Sequence, residues 1–110
     1  MSVYNFKVNL SPEEAFRFLK NNMNSELIYE EAHEYQDVIK AYVLIFEKYY
    51  FRSNNRAALT VTINNFNGDT EISSISAGSS EGLIFNFDWG AGDDFAASVK
   101  SLLEKFVVEY

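Results

Sequence analysis

Tyr49, Tyr50, Arg52 and Arg56 crowd onto one short stretch and make the one notable basic and aromatic cluster of the chain. Guanidinium forks grip carboxylates or phosphates bidentately, and a tyrosine adds a stacking face or a hydroxyl, so this cluster is the leading candidate for binding a small anionic ligand or a partner. The bland alternative has the same arginines covering ring faces and pairing with nearby acids. Trp89 is a further candidate platform, although an indole just before a glycine also serves as a core anchor that satisfies its N–H locally.

Three other motifs have the letters of chemistry without its context. Gly78-Ser79-Ser80-Glu81-Gly82 spells a nucleophile elbow around Ser80. That elbow needs a strand-to-helix turn and a later histidine, whereas a strand is expected to follow and the single histidine, His33, comes earlier. A flexible Gly/Ser loop is the better reading. Gly90-Ala91-Gly92 sits between an expected strand and helix like a phosphate loop, but Phe95 stands where the third glycine belongs and Asp93-Asp94 would repel a phosphate. These acids read as opposing the helix dipole instead. Glu30 and His33 have the Glu-x-x-His spacing of carboxylate di-metal bundles, which require two such pairs. With one copy present, a solvated acidic face is the reading, and on a strand Glu31 and His33 would share that face. No cofactor and no metal is expected.

The elements that must carry these residues follow from periodicity. Tyr4, Phe6, Val8 and Leu10 alternate with polar residues as a half-buried strand does. Ser11-Pro12-Glu13-Glu14 supplies a cap hydroxyl, a first-turn proline and a Glu three residues past the cap, so a helix of about three turns is predicted, ending near Asn21 to Ser25. Residues 26–51 can be read at helical spacing, but such a helix would be overlong, and Val38-Ile39, Tyr42-Val43 and Tyr49-Tyr50-Phe51 favour strands. Two strands meeting near Gln36-Asp37 are predicted. Ala57, Leu59, Val61 and Ile63 form a further strand, with Thr60, Thr62 and Asn64 on the opposite face alongside Asn5 and Lys7. The tight turn Asn67-Gly68-Asp69 leads to a weaker strand, Thr70 to Ala77, read as an edge or a bulge. Leu83 to Trp89 is expected to be extended. From Asp93, the spacing of Phe95, Val99, Leu102, Phe106 and Tyr110 predicts a long terminal helix.

The expected fold is therefore one α+β domain over residues 1–110, an antiparallel sheet of five or six strands with a short N-terminal and a long C-terminal helix on one face. It resembles the TATA-binding-protein-like or helix-grip architectures. The segments Phe46 to Arg52, Arg56 to Thr62 and Phe87 to Ala91 resemble a family of small uncharacterised Firmicute proteins, a resemblance that implies a domain boundary and no activity.

Composition narrows the roles. Sixteen acidic against nine basic residues give a net charge of −7, which opposes nucleic acid and anionic membrane surfaces as partners. No cysteine is present, removing disulfides and thiolate chemistry and pointing to a bacterial cytoplasmic protein. No basic-then-apolar leader opens the sequence, and its longest apolar run is too short to span a bilayer. Aromatic residues make up 16%, and Tyr35, Tyr42, Tyr49, Tyr50, Phe51, Phe66 and Val107-Val108 exceed what two helices could cover. A homodimer is expected, with Lys48, Arg52 and Arg56 at its rim; a different protein is the other candidate cover. A non-catalytic binding or assembly module is the preferred function. The alternative is a small-ligand carrier or small enzyme using a pocket between sheet and helices, for which a cavity of a few hundred cubic ångströms would be the sign.

Overall fold

Alternating apolar and polar residues carry most of the chain into one sheet, and the computed structural model describes residues 1–51, 54–78 and 89–108 of it. The elements are β1 (Ser2–Val8), α1 (Pro12–Asn22), β2 (Glu26–Tyr35), β3 (Ile39–Tyr50), β4 (Asn55–Asn64), β5 (Thr70–Gly78), α2 (Trp89–Leu102) and β6 (Val107–Val108). They form an α+β fold with a six-stranded antiparallel sheet in the order β2-β3-β4-β5-β1-β6. The contested stretch is a strand hairpin, turning on Gln36 (φ 53°) and Asp37 (φ 58°), the paired left-handed residues that match the twist of the flanking strands.

Helix α1 starts as its sequence dictates. The Ser11 hydroxyl accepts from the Glu14 backbone N–H at 3.1 Å, and the Glu14 carboxylate accepts from the Ser11 N–H at 2.9 Å. That backbone bond holds the Glu14 pKa below its ordinary value. A lowered acid pKa stabilises the fold above the unfolded value, and this contribution is lost as pH falls through the folded value. Ser11→Ala is expected to lower stability by about 1 kcal/mol in urea unfolding at neutral pH, and an unchanged midpoint would remove the capping box from the account.

Both helices cover the same sheet face. Helix α1 lies on β3 and β4, and α2 lies on β5 and β1. Leu44, Phe46, Leu59, Val61, Ile63 and Ile72 from the sheet meet Leu19, Ala96 and Val99 from the helices in one buried layer. Leu59 and Val61 are fully buried while Thr60 and Thr62 face the other way, as their alternation requires.

Several expectations are corrected. Strand β5 is interior, flanked by β4 and β1. Its serines resemble an exposed edge, yet Ser74 and Ser76 are buried, and Ser74 Oγ donates to the Ala96 carbonyl of α2 at 2.8 Å. Small residues there let the helix approach the sheet. Helix α2 begins at Trp89, so Gly90 to Gly92 lie within its opening and Asp93-Asp94 come after its first turn. The helix also stops at Leu102. Beyond it, a 3₁₀ turn at Glu104–Phe106 leads into β6, where Val107 and Val108 pair with Val8 and Lys7. An unpaired edge on β1 and two β-branched valines outweigh the helical spacing of Phe106. Of the extended segment expected over 83–89, Trp89 belongs to α2 instead, and the rest lies outside the described residues, as do Ser80 and Tyr110.

Candidate functional site

The predicted cluster is divided between two faces, because neighbouring residues on a strand point in opposite directions. Tyr49 and Arg56 are cross-strand partners on the face without helices. There, Arg56 Nη1 donates to Glu47 Oε1 at 2.7 Å, and the Tyr49 hydroxyl donates to the Asn54 side chain. Tyr50 turns to the helix side, where its ring meets Phe95 edge-on at 6.2 Å between centroids. Arg52 lies outside the described residues, and Trp89 opens α2. Of the aromatic residues expected to exceed the helices' cover, Tyr42 is buried and stacked on Phe16 at 4.4 Å. Tyr35, Phe51 and Phe66 do face outward, Phe51 at 89% exposure.

The open face is a continuous surface rather than a set of isolated rings. Strand register aligns Tyr29, Ile45, Thr60, Ile75 and Val3 in one row across five strands. A second row contains Glu31, Val43, Thr62, Ser73 and Asn5. The charges stand towards the margins. Glu31 accepts from the Tyr29 hydroxyl and lies 3.1 Å from His33 Nε2. The tyrosine bond first, and then His33, lower the Glu31 pKa, while the same contact raises that of Tyr29. Glu31 and His33 thus share a strand face as predicted, and among the described residues no group of three metal-ligating side chains forms. At the other margin, Lys7 pairs with Asp69 and Glu71.

On the helix side, a cleft of about 320 Å³ opens where the end of α1, the end of β3 and α2 converge. Met23, Phe95 and Leu102 supply apolar wall, while Lys48, Tyr50 and Asp94 supply its charged and aromatic groups. The Lys48 ammonium sits over the Tyr50 ring, 5.6 Å from its centroid. Of these residues the sequence offered Tyr50 as a binding candidate and Lys48 only as a rim residue of a dimer; Lys48 stands instead on the helix side with Tyr50. The period-two pattern of β3 could have placed Lys48 beside Tyr50, but nothing local could join them to Met23 and Asp94, which arrive through tertiary packing.

Among the described residues no helix is long and apolar enough to cross a membrane. The model of a family described as of unknown function, DUF6054, matches residues 1–107. No curated protein and no solved structure matches the chain.

Proposed function

The chain belongs to the DUF6054 family, and from that premise we propose that it is a non-catalytic assembly module that forms a homodimer through the open face of its sheet. The row of Tyr29, Ile45, Thr60, Ile75 and Val3 carries this reading. Tyr29 is 49% exposed and Val3 48%, and large apolar residues in a row on the outer face of an antiparallel sheet, where polar residues are the rule, mark an interaction surface. Five strands spaced about 4.8 Å apart make a patch about 20–24 Å wide. With the strand length behind it, that is the scale of a standard interface, about 800 Å² per partner.

Charge selects the occupant and its orientation. A twofold axis along the strands at β4 sets Tyr29 of one copy against Val3 of the other, Ile45 against Ile75, and Glu31 against Asn5. No acid then opposes an acid. An axis across the strands would set Glu31 against Glu26 and Val43 against Glu47, which the net charge of −7 on each copy makes worse. The absence of cysteine fits a reducing compartment such as a bacterial cytoplasm.

Sedimentation equilibrium at micromolar concentration is expected to give twice the 12.6 kDa chain mass, and Ile45→Lys to return the mass to one chain with the fold intact. A monomeric parent chain, or an Ile45→Lys variant that still dimerises, would contradict this reading.

A further inference from the structure

The cleft on the helix side holds two opposite charges that do not meet. Lys48 reaches it from β3 and Asp94 from α2, yet no ion pair joins them, and neither pairs with another charged group among the described residues. Both are exposed, so each can be reached from solvent. The same cleft has an apolar wall of Met23, Phe95 and Leu102. Ser25, also at the wall, keeps a buried Oγ with no hydrogen-bond partner among the described residues.

We propose that this cleft binds a free α-amino acid with an apolar or aromatic side chain. Its carboxylate meets Lys48, its ammonium meets Asp94, and its side chain packs on Phe95, Leu102 and Met23. The charges of the cleft and of the chain select a zwitterion. A simple anion would satisfy Lys48 but face Asp94 and the long-range field of a chain carrying −7. A simple amine would satisfy Asp94 and face Lys48. A molecule carrying both charges satisfies both and has no net charge for that field to repel. Size points the same way, since about 320 Å³ is at the small end of ligand pockets, which run from about 300 to 1,000 Å³. The cleft and the open face lie on opposite sides of the sheet, so this proposal stands apart from the dimer.

The test is an NMR titration of the isotopically labelled full chain with L-phenylalanine and L-leucine. Parallel titrations use 3-phenylpropionate and phenethylamine, each lacking one of the two charges. Saturable amide shifts are expected around Met23, Lys48, Phe95 and Leu102, with both single-charge analogues binding at least about tenfold more weakly. Lys48→Met and Asp94→Asn should each weaken L-phenylalanine by a similar factor while leaving the remaining spectrum unchanged, because both side chains are exposed. Absence of saturable shifts at about millimolar ligand, equal binding of the analogues, or unchanged affinity in both variants would overturn the proposal.

Discussion

Val61→Asp is expected to leave the chain unfolded, whereas Thr62→Asp, one residue along the same strand, should leave it folded and monomeric. Val61 has no exposed surface and lies between Leu44 and Ser74, both equally buried. A carboxylate there must either give up its charge or stay unpaired away from water, at a cost of several kcal/mol. Domain stability amounts to only about 5–15 kcal/mol in total. The Thr62 side chain points to the open face, into the row with Val43 and Ser73. A charge placed there keeps its water in the single chain and loses it only when a second copy docks. Circular dichroism melting and sedimentation read the two effects separately. An unfolded Thr62→Asp beside a folded Val61→Asp would mean that the faces of β4 have been assigned the wrong way round.

Phe46→Ala should lower stability by about 3–5 kcal/mol, the range for deleting a ring from a packed core. Phe46 is 1% exposed, and its cross-strand neighbours are Leu27 and Leu59. It therefore ties β2 and β4 to the strand between them under the helices. Phe51, at 89% exposure, provides the contrast, since truncating it should move stability by no more than about 0.5 kcal/mol. Urea midpoints with an unchanged slope would measure both. A loss below about 1 kcal/mol at Phe46 would show that the sheet and helices are not packed as one layer on another.

Much of this fold can be read directly from residue order, because its signals are local. The capping box at Ser11 to Glu14, the left-handed pair Gln36-Asp37 and the alternation through β4 each depend on neighbours a few residues away. Features decided across the sheet were hidden. Ser74 and Ser76 look solvent-facing until α2 closes over them, and Val107-Val108 continue a helical spacing until the free edge of β1 takes them as a strand. The site was hidden in the same way. Tyr49 and Tyr50 are neighbours in the chain but lie on opposite sides of the sheet, so their proximity in sequence joined two surfaces that the fold separates.

Strand β2 forms one margin of the sheet and carries Glu26, Glu30, Glu31 and Glu34, with a register shift between Leu27 and Tyr29. Strand-by-strand growth into a filament needs two such margins to come together in a regular ladder. Pairing of β2 with β2 of another copy would bring carboxylates against carboxylates along an irregular backbone. At the opposite margin, β6 covers Lys7 and Val8 of β1. The β2 margin is therefore a poor template for a second copy, and the proposed dimer uses the face of the sheet instead, where one docking event leaves no second surface of the same kind. A dimer built on that face would stop at a finite size, even though the chain presents an open sheet.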